Sequence, residues 1–127
     1  MPSVISALIA LVLALTTCRG QASQSGEASW YGPGYFGQYM ANGEILTAET
    51  VGIAHPTLPL GTWVRISSRY GSMVVQVKDR GPFGVPGRIV DITPRVADEI
   101  MGTRYGYNQE GVPYGAIEVS LECITMR

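Results

Sequence analysis

The chain has 127 residues, and its 9 Lys and Arg residues against 10 Asp and Glu residues give a formal net charge of −1. This length suits one domain, and the lack of excess positive charge argues against nucleic-acid binding, which needs a basic surface. Only 15% of the residues are charged, while 16 are glycine and 8 are proline, which excludes a coiled coil, a long helical bundle and a charge-rich disordered chain.

The first segment in chain order is an uncharged apolar run over residues 4–17, and the first charge is Arg19. The run is too short for a membrane span of about 20 residues and is typical of the apolar region of a secretory signal. We predict a signal peptide at 1–18, a polar tether at 19–25, a barrel domain at 26–123 and a tail at 124–127. A buried N-terminal helix is the less favoured alternative.

The two cysteines lie at opposite ends of the chain. Cys18 directly follows the apolar run, where it resembles the lipidated cysteine of a bacterial lipobox; the alternative is ordinary signal cleavage near Ala22. In both cases we expect export to the cell envelope, either anchored by lipid, free in the periplasm or secreted. Cys123 is expected to have no disulfide partner and to act as a small hydrophobic residue at the end of the last strand.

The rest of the chain favours short strands between glycine-rich turns. Alternating apolar and polar residues, or short apolar runs, predict strands, and residues 68–72 suit a hairpin loop between two of them. The predicted strands are Glu27–Tyr31, Thr62–Ser67, Met73–Asp79, Arg88–Ile92 and Ala116–Cys123.

One short helix is predicted after the fourth of these strands. Thr93 suits the N-cap, Pro94 suits the first helical position and Gly102 suits the end. Residues 103–115 are rich in Gly, Tyr and Asn and are expected to form a loop. With five or six short strands and so little helix, a closed barrel is the economical way to hide the strand edges.

A group of carboxylate and aromatic residues carries the candidate chemistry. Asp79 ends a strongly patterned strand, where a rigid scaffold presents functional groups, and Lys78 is expected to point away from it because neighbouring residues alternate. Glu44 follows a turn-like segment. His55 has no second histidine and no nearby cysteine, so we expect no metal site. Four aromatic residues offer flat faces that stack on sugars: Trp30, Tyr31, Tyr35 and Phe36.

Taken singly, each of these residues also has an ordinary structural role, but together they fall within five ordered blocks that resemble the rare-lipoprotein-A family. The resemblance runs from about residue 26 to 102 and resumes in the final strand. The blocks are GEASWYG at 26–32, ANGE at 41–44, AHPTLPLGT at 54–62, VKDRGPF at 77–83 and GRIVDIT at 87–93.

The resemblance implies a mainly β fold, a six-stranded double-psi β-barrel with one or two short helices. It also implies a peptidoglycan lytic transglycosylase that acts on glycan strands and prefers strands without stem peptides. Asp79 matches the catalytic acid, and Glu44 and His55 match the two other positions needed for activity. The substrate-binding residues are expected to be Trp30, Tyr31, Tyr35, Arg80 and Asp91.

The implied reaction needs one acid rather than the usual pair of carboxylates, because the C6 hydroxyl of the substrate attacks the anomeric carbon and leaves a 1,6-anhydro sugar. We expect a monomer without cofactor that binds peptidoglycan glycan strands and no nucleic acid, and that meets a membrane only through an N-terminal lipid. The sequence departs from the family at Pro56, where Arg is usual, and at Lys78, where Asn is usual. Two alternatives are a non-catalytic expansin-like wall-binding module and a protein-interaction scaffold.

Overall fold

A computed structural model describes residues 23–31, 33–102 and 115–124. The predicted signal peptide, Cys18, the tether up to residue 22, residues 103–114 of the predicted loop and residues 125–127 lie outside this part of the chain. Among the described residues, no helix has the length and apolar character needed to cross a membrane.

The described part of the chain contains six strands, one α-helix (α1) and one short 3-10 helix. The strands are β1 Gln24–Trp30, β2 Ile53–Ala54, β3 Trp63–Ser68, β4 Gly71–Asp79, β5 Arg88–Ile92 and β6 Ile117–Cys123, with the 3-10 helix at Pro33–Tyr35 and α1 at Pro94–Ile100.

The strands close into a barrel in the order β1-β5-β2-β4-β3-β6, which confirms the predicted barrel. Two neighbouring pairs are parallel, β1 with β5 and β2 with β4, and the remaining pairs are antiparallel. Parallel partners need a crossover connection rather than a hairpin. The chain between β1 and β2 and the chain between β4 and β5 each join strands that are separated by one other strand in the barrel, and both connections contribute residues to the site.

The alternating pattern of the sequence becomes the barrel core. On β4, Val75 and Val77 are buried while the preceding Val74 is exposed, and on β3 Val64 and Ile66 are fully buried. Helix α1 adds Val96 and other apolar side chains to this core. Each fully buried aliphatic side chain contributes about 1.5–3 kcal/mol to folding, so the pattern that predicts the strands also stabilises the barrel.

Two features of the barrel are not apparent from periodicity. Strand β2 has only two residues, too few to show a pattern, yet Ile53 pairs with both Val77 and Ile92. Strand β1 packs so closely on its neighbour that a side chain at Gly26 would meet the Gly87 carbonyl at 2.9 Å. That approach explains a glycine within the strand.

The helix begins at Pro94 as predicted, but the N-cap works differently. Thr93 occupies the N-cap position without a side-chain capping bond. Its hydroxyl instead accepts a hydrogen bond from the Gly52 amide at 3.4 Å, so Thr93 ties the helix start to the chain entering β2. The predicted hairpin loop is also tighter than expected, because Ser68 already pairs with Gly71.

The ends of the barrel depart from two expectations. Strand β1 starts at Gln24, which pairs with Leu121 of β6, so the barrel takes in two residues of the predicted tether. The expectation that Cys123 has no partner is wrong, because Cys123 is disulfide-bonded. The other cysteine of the chain is Cys18, which lies outside the described residues.

Candidate active site

Asp79 is the last residue of β4, and its carboxylate is held from three directions. Oδ1 accepts hydrogen bonds from the amides of Ala41 and Arg80, each at 2.9 Å. Oδ2 accepts a hydrogen bond from the Tyr31 hydroxyl at 2.7 Å. Because two of the donors belong to the main chain, the fold itself orients this carboxyl group.

Tyr31 directly follows the last residue of β1, and its hydroxyl reaches Asp79 Oδ2 across the barrel end. Its amide donates to the Ile92 carbonyl at 3.0 Å, and its ring lies 5.9 Å from the Tyr35 ring with a tilt of 59°. The pKa of the Tyr31 hydroxyl is raised far above its usual value, mainly by burial and secondly by the hydrogen bond to Asp79. The hydroxyl therefore keeps its proton and remains a donor.

Glu44 lies three residues after Ala41, whose amide binds Asp79, and forms its own contacts with other residues. Its carboxylate accepts a hydrogen bond from the Lys78 ammonium at 3.0 Å and one from the Asn42 side-chain amide at 2.6 Å. The Lys78 hydrogen bond is the main reason why the pKa of Glu44 is lowered. The Lys78 ammonium is bound to Glu44 and balances its charge.

His55 is almost completely buried, with 2% of its surface exposed, and both ring nitrogens have protein partners. Nδ1 accepts hydrogen bonds from the amides of Thr57 and Leu58 at 3.1 and 3.0 Å. Because Nδ1 is an acceptor, Nε2 carries the proton and donates it to Gln24 Oε1 at 3.0 Å. Burial, helped by the charge of Arg80, lowers the pKa of His55, so the ring is held in its neutral form.

Arg80 joins the His55 turn to Asp79. Its guanidinium Nη1 donates to the carbonyl of His55 at 3.0 Å and also to the carbonyl of Leu58. The amide of His55 in turn donates to the Asp79 carbonyl at 3.1 Å. Asp79 and Arg80 are consecutive, so the carboxylate and the guanidinium are bound to opposite sides of the same barrel end.

An open cleft of about 480 Å³ lies next to the Asp79–Tyr31 pair. All five predicted substrate-binding residues line it, whereas Phe36 and the three predicted catalytic residues, Asp79, Glu44 and His55, are not among its lining residues. Asp91 accepts a hydrogen bond from the Ser29 hydroxyl within this cleft. The predicted substrate-binding residues in the wall are Trp30, Tyr31, Tyr35, Arg80 and Asp91.

In the described part of the chain, six further residues line the cleft that the sequence did not assign to substrate binding, among them Phe83, Val85 and Arg88. Phe83 is 70% exposed and Val85 is 47% exposed, an arrangement that offers apolar surface to a ligand. Arg88 also lines the cleft, and its Nε atom is buried without a hydrogen-bond partner. Phe83 follows directly after the Asp79-Arg80-Gly81-Pro82 segment, so its place in that block was the available signal.

The two aspartates of the site flank the short strand β2. Ala54 pairs with Asp79 on β4 and with Asp91 on β5. Two residues after Asp79, Gly81 has a φ of +122°. A side chain at Gly81 would lie 3.6 Å from Asp91 Oδ2. Because that distance is ordinary van der Waals contact, the positive φ is what favours glycine at this position.

Asp79 is linked to the cleft through Tyr31, which lines it, while Glu44 and His55 are linked to Asp79 through Lys78, Arg80 and the main chain. Residues 23–112, more than half of the chain, match the family model described as lytic transglycolase. The chain belongs to this family. Membership of the lytic transglycolase family agrees with the observed double-psi β-barrel and confirms the resemblance of the five sequence blocks.

Curated relatives carry a consistent name. A protein of Synechocystis called a probable endolytic peptidoglycan transglycosylase RlpA is 41% identical over 98 residues, which cover 76% of this chain and 29% of the relative. The endolytic peptidoglycan transglycosylase RlpA of Vibrio cholerae is 39% identical over 99 residues, which cover 76% of this chain and 35% of that protein. The chain thus spans about a third of the length of these relatives.

Solved structures show the same fold at low sequence identity. A Clavibacter michiganensis expansin in complex with cellohexaose superimposes with a TM-score of 0.57 and 16% identity, covering 82% of this chain and 51% of the expansin. A Streptomyces papain inhibitor superimposes with a TM-score of 0.59 and 16% identity, covering 84% of this chain and 96% of the inhibitor. At this identity the likeness supports the barrel fold alone.

Proposed function

We propose that this chain is a peptidoglycan lytic transglycosylase that cleaves glycan strands without water and leaves 1,6-anhydro-muramyl ends. The observation that carries the proposal is the Asp79 carboxyl group. It is oriented by three hydrogen bonds next to an open cleft with aromatic walls, in a chain of the lytic transglycolase family. The curated relatives with the transglycosylase name support the same activity.

In this proposal, Asp79 serves first as acid and then as base. Protonated Asp79 gives its proton to the glycosidic oxygen as the bond from that oxygen to the anomeric carbon breaks. The C6 hydroxyl oxygen of the same sugar then bonds to the anomeric carbon, and its proton passes to the Asp79 carboxylate. The enzyme ends in its starting state, so neither a cofactor nor a second catalytic carboxyl group is required.

The cleft would hold the sugars on either side of the broken bond. Trp30 and Tyr35 expose ring surface there, and sugar rings pack on such flat faces with their apolar side. Asp91 and Arg80 are proposed to contact sugar hydroxyls at the cleft wall. Glu44 lies on an exposed loop whose first amide, at Ala41, binds Asp79, so we propose that it contacts substrate from that loop.

We propose that His55 acts on Asp79 through the main chain. Both of its ring nitrogens are used by protein groups, which leaves none for a substrate hydroxyl. The ring instead shapes the turn to which Arg80 binds. A buried neutral imidazole in this place is a positioning residue, and its loss would displace the end of β4.

We also propose export to the cell envelope, where the substrate lies, and action as a monomer. Processing at the N-terminus is open to direct measurement, because the sulfur of Cys18 cannot carry a thioether-linked lipid and a disulfide at once. Intact-mass analysis of the exported protein, with and without reduction, separates three products: a lipidated Cys18, a chain cut near Ala22 and a chain that retains Cys18 in a disulfide.

The decisive experiment is digestion of purified, peptide-free glycan strands with the full chain, followed by mass spectrometry. We expect products with anhydro ends, which are about 18 Da lighter than hydrolytic products because no water is added. The Asp79→Ala variant should release none. Anhydro products from Asp79→Ala would contradict the assignment of the acid.

The second candidate is an expansin-like module that binds wall polysaccharide without cleaving it. The observation in its favour is the shared fold with an expansin solved in complex with cellohexaose. The same digestion tests it, if glycan binding is measured in parallel by sedimentation. Binding without any anhydro product from the wild-type chain would replace the transglycosylase proposal with this one.

A further inference from the structure

The three hydrogen bonds to Asp79 are divided unevenly between its two oxygens. Oδ1 accepts two main-chain N–H groups, from Ala41 and Arg80. A carboxylate oxygen has two lone-pair sites, so Oδ1 is fully occupied. Oδ2 accepts only the Tyr31 hydroxyl, and one of its lone-pair sites remains for a proton.

We propose that Tyr31 is a positioning residue whose hydroxyl holds Oδ2 at the cleft wall and makes Oδ2 the oxygen that transfers the proton. This inference rests on the proposed lytic transglycosylase function. It also changes the expectation from the sequence, where Tyr31 was a surface for stacking sugars. The ring still lines the cleft, but the hydroxyl is committed to Asp79.

Tyr31 is suited to this role because its ring and its proton are both held in place. The amide bond to the Ile92 carbonyl and the tilted contact with Tyr35 orient the side chain. Burial, together with the Asp79 carboxylate, raises the pKa of the Tyr31 hydroxyl, so the group donates throughout the working range of an enzyme. Tyr31 itself exchanges no proton with the substrate.

Oδ2 alone gives up the proton and takes it back during the reaction. The bond from Oδ2 to its proton breaks as the glycosidic oxygen takes that proton, and the C6 hydroxyl proton later restores it. Negative charge appears on Oδ2 between these events, and the Tyr31 hydrogen bond is strongest in that state. Removal of the donor therefore disfavours the charged form of Asp79 relative to the protonated form.

The test is the pH profile of kcat/KM for Tyr31→Phe, measured on peptide-free glycan with the full chain. The alkaline limb, where the acid loses its proton, should move upward by about one pH unit, as expected for one hydrogen bond to a charged group. The rate on the plateau should fall about tenfold, since the acid becomes a weaker proton donor.

A matched control is Tyr70→Phe, which removes an exposed tyrosine hydroxyl at the β3–β4 turn. Its profile and rate should equal those of the wild type. A ring-fluorinated tyrosine at position 31 is a stronger donor of the same shape, and it should move the alkaline limb downward. This second substitution keeps the hydroxyl and provides the test if Tyr31→Phe does not fold.

Two results would overturn the inference. The first is a Tyr31→Phe enzyme with an unchanged alkaline limb and only a raised KM, which would make Tyr31 a stacking surface. The second is a fluorinated variant that moves the limb upward. Failure of the proposed function is distinct from both, because the wild-type chain would then yield no anhydro product. Carbon-13 titration of the Asp79 carboxyl group would still report whether the Tyr31 hydroxyl is coupled to it.

Discussion

Two loops meet at the end of β4, and they differ in burial and in what they bind. The loop at residues 41–44 is exposed and donates an amide to the Asp79 carboxylate. The turn at residues 55–58 holds a buried histidine and accepts the Arg80 guanidinium on two carbonyls. Asp79 at the end of β4 thus binds the exposed loop, and the next residue, Arg80, binds the buried turn.

We expect this difference to separate the proposed chemistry at Asp79 from the structural role of the His55 turn. On the Asp79 side, one lone-pair site of the carboxylate is left over, and its Tyr31 partner lines the open cleft. On the Arg80 side, the histidine nitrogens are both occupied. We therefore expect substitutions on the exposed side to affect the rate and substitutions at the buried turn to affect stability.

The largest expected effect is that of Asp79→Asn on the rate. An amide has the same shape and still accepts the two main-chain hydrogen bonds, but it cannot transfer a proton, so kcat/KM should fall by about 10²–10⁴. The free energy of unfolding, measured with denaturant, should change little. Asp91→Asn is the control, because it removes a carboxylate of the same cleft that we place in substrate binding, and it should raise KM more than it lowers kcat.

The next effect is that of Arg80→Met on stability. The variant leaves the carbonyls of His55 and Leu58 without their charged donor, which should cost about 2 kcal/mol of unfolding free energy. Arg65→Met is matched to it, because Arg65 forms an exposed ion pair at 3.7 Å with Glu122 and should cost at most about 1 kcal/mol. Equal losses in the two variants would contradict the supporting role of the turn.

A smaller effect is the pH dependence of stability due to His55. Its pKa is lowered in the folded state, so the unfolded chain binds the proton first as the pH falls. The contribution to stability is complete above the unfolded value of about 6.5 and is lost as the pH falls towards the folded value. One proton allows a slope of at most about 1.4 kcal/mol per pH unit.

His55 is the single histidine of the chain, which makes this slope assignable. Urea unfolding of the wild type and of His55→Gln between pH 5 and pH 8 should show the His55 slope below about pH 6.5 only in the wild type. A slope that persists in His55→Gln would mean that another group titrates there, and the buried neutral imidazole would then not be its source.

The smallest effect is expected for Lys78→Asn, which restores the residue usual in the family. The variant frees the Glu44 carboxylate from its pair with Lys78, but Glu44 is exposed and solvent already screens its charge. We expect kcat/KM to change by less than about fivefold, with Lys78→Arg as the control that keeps the charge. A loss above a hundredfold would place Lys78 among the residues that the reaction needs.

The sequence predicted well those features whose signal lies within one short segment of the chain. The strands β3, β4, β5 and β6 were predicted within about two residues, because alternation along a strand depends on one chain segment at a time. Strand β2 was missed, because two residues carry no period. The partner of Thr93 was also missed, since its hydroxyl binds Gly52 from a distant segment rather than the local helix end.

The sequence by itself determined the strand pattern, the place of Asp79 at a strand end and the five blocks that mark the family. Only the tertiary structure decided which groups touch Asp79, because Tyr31 and Ala41 lie 48 and 38 residues away along the chain. It also decided that the Lys78 ammonium pairs with the Glu44 carboxylate, and that Cys123 is disulfide-bonded. Periodicity is a property of neighbours in sequence, whereas a hydrogen bond between strands depends on the register in which the barrel closes.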